Sequence, residues 1–151
     1  MFCLQKRFIT NGADGQEDVP AYRWWIPLSY TSQRNANFSA TQPQEWIEET
    51  EDQKIVSIPA NLNEWVVFNL QQTGYYRVNY DSNNWKALTS QLTWNHRLIP
   101  ATNRAQMLDD ILNLARSGIL PILKLYYNKL QSFLPYFLAL HQVTLSDNFC
   151  L

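Results

Sequence analysis

Glycine is scarce in this 151-residue chain, which holds four in all: Gly12, Gly15, Gly74 and Gly118. Four scattered glycines cannot build a phosphate-cradling loop. With only seven prolines beside them, the chain is neither collagen-like nor a Gly/Pro-rich disordered segment. Histidine is scarcer still: His96 and His141 alone, followed by Arg97 and Gln142, so no His-Glu-x-x-His pair exists. A catalytic zinc centre needs three protein ligands at suitable spacing, and two isolated imidazoles do not supply them. The two cysteines, Cys3 and Cys150, lie near opposite ends. A disulfide-stapled scaffold needs more, and the pair reads as two unpaired small hydrophobes. There is no surplus of basic charge either: 12 Lys and Arg against 13 Asp and Glu give a net charge of −1. That removes nucleic-acid binding driven by phosphate neutralisation. Nor is there a long apolar run. The stretch after Gly118 is broken by Pro121, Lys124, Lys129 and Pro135, short of the roughly 18 residues a membrane span requires. The first residues, Met1 to Arg7, carry charge where a signal peptide has its apolar segment. No Gly-x-Ser-x-Gly occurs, and no cysteine nucleophile signature.

What the chain has in abundance is aromatic residues, 14% of the total, with 6 Trp, 8 Tyr and 7 Phe. These favour a β-rich fold or a sticky interface. The length suffices for a core, since a domain of this size hides roughly 70% of its unfolded surface. Up to about Tyr80 the texture is β. Phe2, Leu4 and Phe8 alternate with polar neighbours, as do Tyr22, Trp24, Ile26, Leu28 and Tyr30. The turn cluster Asn11-Gly12-Ala13-Asp14-Gly15 between them predicts a long-looped hairpin. Residues 32–53 read as a polar loop anchored by Trp46-Ile47, and Ile55 to Ile58 as a strand ended by Pro59. Trp65 to Leu70 facing Tyr75 to Tyr80 across Gln71-Gln72-Thr73-Gly74 is the strongest predicted hairpin. About five antiparallel strands of this kind predict a small sandwich, with Val66, Phe68, Tyr76 and Val78 buried on at least one side.

From Asp81 the period becomes helical. Trp85, Leu88 and Leu92 share one face, with Asp81 or Ser82 as N-cap. A second helix is predicted from about Thr102 to Ser117. Ala105, Leu108, Ile111, Leu112 and Ala115 form its buried stripe, and Gly118 stands at C′. After Gly118, Leu120, Leu123, Tyr127, Leu130, Leu134 and Leu138 recur at helical steps, so this stretch should be helical and incompletely packed. Asp109 and Asp110 are paired carboxylates, but neighbours on a helix point about 100° apart, which suits salt bridges with Arg104 or Arg116 better than one metal ion. Arg77, among Tyr75, Tyr76 and Tyr80, could hold a carboxylate ligand, although a stacked strand arginine is more often structural. Asn37-Phe38-Ser39 matches the N-glycosylation sequon within the polar loop.

In order along the chain stand Gln5-Lys6-Arg7-Phe8, Trp25-Ile26-Pro27-Leu28-Ser29-Tyr30 and Trp65-Val66-Val67-Phe68-Asn69. Gly74-Tyr75-Tyr76-Arg77-Val78-Asn79-Tyr80-Asp81 follows, then Trp85, Asn103-Arg104-Ala105-Gln106, Asp109-Asp110 and Leu114-Ala115-Arg116-Ser117-Gly118. This series resembles the aminopeptidase N family of zinc metallopeptidases over about residues 3–120. Phe133-Leu134-Pro135-Tyr136-Phe137 matches only loosely, and the tail after Leu130 departs. The resemblance implies the small β-sandwich of that family (residues 1–80) and the truncated opening of its helical C-terminal domain (residues 81–151). The zinc motif is absent, as is the Gly-x-Met-x-Asn substrate loop, and the catalytic Tyr belongs to a domain outside the match. No catalytic, cofactor-binding or metal-binding residue is therefore assigned. Zinc is expected in the parent family and not in this chain.

The chain thus reads as an antiparallel β-sandwich followed by helices. Its expected function is that of a non-catalytic scaffold fragment of an enzyme that removes N-terminal residues from peptides. By itself it is predicted inactive, because a Glu base and an amino-end anchor would have to come from the loop acids Glu45, Glu48, Glu49 and Glu51. Its expected partners are the catalytic and helical domains of the parent; peptides are substrates of the parent only, and neither nucleic acid nor a membrane span is expected. The parent family is often extracellular or cell-surface. The alternative is a free-standing β-sandwich binding module that offers Trp24, Trp25, Trp46 or Tyr75 to a glycan or a protein. Asn37 is the one candidate modification site.

Overall fold

The computed structural model describes residues 1–8, 22–61 and 63–120. A β region precedes two helices. Among the described residues it contains six three-residue strands: β1 Phe2–Leu4, β2 Ile26–Leu28, β3 Tyr30–Ser32, β4 Glu45–Ile47, β5 Gln53–Ile55 and β6 Val66–Phe68. They form three antiparallel pairs: β1 with β5 (Phe2 opposite Ile55), β2 with β4 (Pro27 opposite Trp46) and β3 with β6 (Thr31 opposite Val67). No described helix is long and apolar enough to cross a membrane.

The pairings correct both predicted hairpins. The 2–8 and 22–30 runs do not pair with each other; each finds a strand from residues 45–55. Alternation at period two marks a strand but is silent on its partner. Within the segment read as a polar loop, Glu45–Ile47 is a strand with Ile47 buried and Trp46 exposed. The strand expected over Ile55 to Ile58 lies instead at Gln53–Ile55. The turn cluster at residues 11–15 lies outside the described residues.

The hairpin expected between Trp65–Leu70 and Tyr75–Tyr80 does not form. After β6 the chain enters a short 3-10 turn over Leu70–Gln72, with Asn69, Gln71 and Gln72 all at left-handed φ (59°, 54° and 57°). The free edge of β6 is closed by side chains instead of a strand. Val66 N–H donates to Asn84 Oδ1 (2.8 Å), Asn84 Nδ2 donates to the Val66 carbonyl (2.9 Å), and Phe68 N–H donates to the Tyr80 hydroxyl (2.9 Å). An edge whose backbone groups are satisfied in this way has no need of another strand. Val66 and Phe68 are buried as expected, while Tyr76 and Val78 are half-buried.

The helices follow their sequence signals. α1 spans Ser82–Asn95; the Asp81 carboxylate caps it, accepting from the N–H groups of Asn83 (2.8 Å) and Asn84 (2.9 Å). Trp85, Leu88 and Leu92 are buried on its inner face. α2 spans Ala101–Arg116. It ends at Gly118, whose φ of +76° suits a residue without Cβ. One hydrophobic cluster joins the two parts, running from Leu28 and Ile47 through Trp65, Val67 and Leu70 to Trp85, Leu88, Ile99, Met107 and Ile111. The stripe predicted for α2 is corrected: Ala105 and Leu112 are exposed and Ala115 half-buried, whereas Asn103, Gln106 and Asp110 are buried. The helix therefore presents amide and carboxyl groups to the interior, which requires bonding partners there. The segment expected to be an incompletely packed helix, beyond Leu120, lies outside the described residues.

Candidate functional site: a buried polar junction

Those partners are backbone groups of the turn after β6. Asn103 is fully buried; its Oδ1 accepts from Gln71 N–H (3.0 Å), and its Nδ2 donates to the Asn69 carbonyl (3.1 Å) and to Gln106 Oε1 (2.9 Å). Asn69, also fully buried, holds the far side of the turn: its Oδ1 accepts from Gly74 N–H (2.7 Å), and its Nδ2 donates to the carbonyls of Gly74 (2.9 Å) and Tyr76 (3.2 Å). Ser29, between β2 and β3, completes the knot. Its carbonyl accepts from Asn69 N–H (2.8 Å) and its Oγ from Leu70 N–H (3.0 Å). Short polar side chains thus replace a regular ladder where the chain turns sharply inside the core. Gly74 is required there, because a Cβ would run into the Tyr76 ring.

One turn along α2, Asp110 secures the strand-like segment that follows. Val78 N–H donates to its Oδ2 (3.0 Å) and Arg77 Nη1 to its Oδ1 (3.2 Å); the same Nη1 also bonds Asp109 Oδ2 at close range. The Arg77 guanidinium lies 5.1 Å from the Phe8 ring centroid, so the N-terminal strand region is drawn into the same cluster. Burial pushes the Asp110 carboxyl up to about 6, outweighing the bonds from Val78 and Arg77 that favour the carboxylate. Burial also raises the Tyr80 and Tyr76 hydroxyls. Tyr80 reaches Phe68 N–H, while the Tyr76 hydroxyl is buried with no partner among the described residues.

The carboxylate pair is therefore a clamp, but its cation is Arg77 and not the expected Arg104 or Arg116. Arg104 lies half-buried on the helix with its Nε unpartnered among the described residues. His96 sits in a 3-10 turn, His96–Leu98, and burial together with Arg104 and Arg97 lowers its pKa. His141 and Cys150 fall outside the described residues, and Cys3 is a half-buried free thiol raised by burial. Among the loop acids, Glu51 accepts from Glu48 N–H (3.0 Å) and lies 3.7 Å from Lys54, while Glu45 stands on β4. Among the described residues no three His, Cys, Asp or Glu side chains are grouped so as to hold a metal ion. Trp24, Trp25, Trp46 and Tyr75 are exposed, whereas Trp65 and Trp85 are buried.

Asn69, Asn103 and Gln106 were not legible as a site. The available signal was the spacing of Asn103, Gln106 and Asp110, three polar residues at helical steps on the face that must pack. Asn69, Asn103, Gln106 and Asp110 of the junction lie within residues 65–134. Residues 65–134 match the family described as "ERAP1-like C-terminal domain". The chain is 42% identical to the aminopeptidase N of Plutella xylostella over 115 residues, 76% of the chain and 12% of that relative. It is 40% identical to the aminopeptidase N of Homo sapiens over 101 residues, 67% of the chain and 10% of the relative. The chain belongs to the aminopeptidase N family. The thyrotropin-releasing hormone-degrading ectoenzyme of Mus musculus is 37% identical over 102 residues, 67% of the chain and 9% of the relative. The chain spans about a tenth of the length of these curated relatives, so the family is represented here by one stretch in which β strands pass into helices.

Proposed function

We propose that the chain is a non-catalytic scaffold element of an aminopeptidase N-like zinc metallopeptidase, whose parent removes N-terminal residues from peptides. In this reading residues 1–80 make up the small β-sandwich and residues 81–151 the opening of the helical domain. The sandwich is a rigid spacer between that domain and the catalytic domain. The observation that carries the reading is the junction itself: Asn69 and Asn103 are fully buried and spend their amides on backbone across the β-to-helix passage. Directional bonds in a desolvated setting favour one relative orientation, which is what a spacer between moving parts requires. The exposed apolar residues of the β1–β5 pair, Phe2, Leu4 and Ile55, supply surface for the other parent domains to cover.

The test is an assay of the purified, metal-supplemented chain on Ala-, Leu- and Arg-linked chromogenic substrates. No turnover is expected. Activity that a zinc chelator and His96→Ala both abolish would overturn the scaffold reading. A second reading, a binding module, draws on the exposure of Trp24, Trp25 and Trp46. It requires saturable tryptophan-fluorescence changes with an added glycan or protein, weakened by Trp24→Ala or Trp25→Ala.

A further inference from the structure

Asn37-Phe38-Ser39 is the one Asn-x-Ser/Thr triplet in the chain, and it lies between β3 and β4. Its three side chains are divided between surface and core: Asn37 and Ser39 are exposed, while Phe38 is buried and stacks on Trp65 (ring centroids 6.1 Å apart, planes inclined by 29°). The backbone here is tied by local turns and not by a strand pairing. Asn37 N–H donates to Thr31 Oγ1 (3.0 Å), and Thr31 Oγ1 donates to the Asn35 carbonyl (2.5 Å). The Asn37 carboxamide turns back so that its Oδ1 accepts from Ser39 N–H (3.1 Å). Its Nδ2, the atom a sugar would be joined to, is left without a bond to any described residue.

We infer that Asn37 is an acceptor for an N-linked glycan when the chain passes through the secretory lumen. The donor class is a lipid pyrophosphate-linked oligosaccharide. Asn37 Nδ2 forms a bond to the anomeric carbon, the bond from that carbon to the pyrophosphate oxygen breaks, and the amide proton leaves to base. The anchored Phe38 keeps the core closed while the flanking residues project outward, so the modified chain keeps the Phe38–Trp65 stack. The glycan then holds the loop between β3 and β4 in solvent and bars a neighbouring domain from docking on it.

The test expresses the full chain behind a secretory leader, and in parallel translates it into microsomes, where transfer does not wait for folding. Expected is a shift of one oligosaccharide, removed by peptide N-glycosidase with conversion of residue 37 to aspartate. The shift should be lost in both Asn37→Gln and Ser39→Ala and kept in Ser39→Thr. An unshifted chain, in a sample where an appended control sequon is modified, overturns the inference. So does a shift that survives Asn37→Gln.

Discussion

The two helices reach the same core by different means. α1 buries Trp85, Leu88 and Leu92, with the Trp85 ring set edge-on to Tyr80 (centroids 5.0 Å apart, 84° between planes). Its polar contributions, Asn84 to Val66 and Gln91 to the Trp65 indole (3.2 Å), frame an otherwise apolar contact. α2 buries Met107, Ile111 and Leu114 but adds Asn103, Gln106 and Asp110 on the same side, bonded to the turn and segment after β6. Burial of apolar area is non-directional and tolerates repacking of equal volume, whereas an amide that closes specific backbone groups has no apolar substitute. α1 leans toward adhesion, with Asn84 its one amide on strand backbone, and α2 leans toward register.

The sharpest way to break that contrast is a pair of substitutions that keep the number of side-chain heavy atoms. Asn103→Leu strands Gln71 N–H and the Gln106 amide and should cost about 2–4 kcal/mol, while Leu88→Met should cost less than about 1.5 kcal/mol. Urea unfolding midpoints of the two variants decide the matter, and equal losses would erase the distinction between the helices. A second effect, of comparable size, separates the two by pH. Asp110 is held up to about 6 in the folded chain against an ordinary value of 3.8. The folded state therefore keeps a proton that the unfolded state has released, and the resulting stability is present in full below the ordinary value and lost as pH rises through about 6. Wild-type midpoints should fall relative to Asp110→Asn between about pH 4 and pH 7; parallel curves would show that burial does not govern this carboxyl. The smallest effect belongs to the end of α2. Gly118→Ala places a Cβ in the left-handed region with open space around it, so strain alone acts and about 1 kcal/mol should be lost in thermal unfolding.

Legibility in the sequence follows the range of the forces involved. The Asp81 cap, the Trp85–Leu88–Leu92 face and the Gly118 stop are signals within a turn or two, and all three hold in the structure. Strand existence was legible for Ile26–Leu28 and Val66–Phe68, but partner choice was not, because Phe2 alternates equally well against residue 26 or residue 55. The false hairpin came from reading Gln71-Gln72-Thr73-Gly74 as a bend between two strands, when Asn69, Gln71 and Gln72 take left-handed positions and Tyr75 to Tyr80 do not pair with β6. Nothing local marks two glutamines for that conformation; Asn103, more than thirty residues on, secures it. The Arg77 clamp shows the same limit. Both carboxylates were visible, but helical spacing offered Arg104 and Arg116, and only the fold brings Arg77 to them.

The turn after β6 also sets an order of events during synthesis. A non-glycine residue in the left-handed region costs about 1–2 kcal/mol, and three occur within four positions. What offsets the cost at Gln71 is the Asn103 amide, and residue 103 leaves the ribosome 32 residues after residue 71. Until that helix is made, the nascent β region has its strands and the Ser29 and Asn69 bonds of the turn, but no partner for the Gln71 N–H. The upstream half of the molecule is in this sense conditionally folded: its last step waits for a residue in the downstream half.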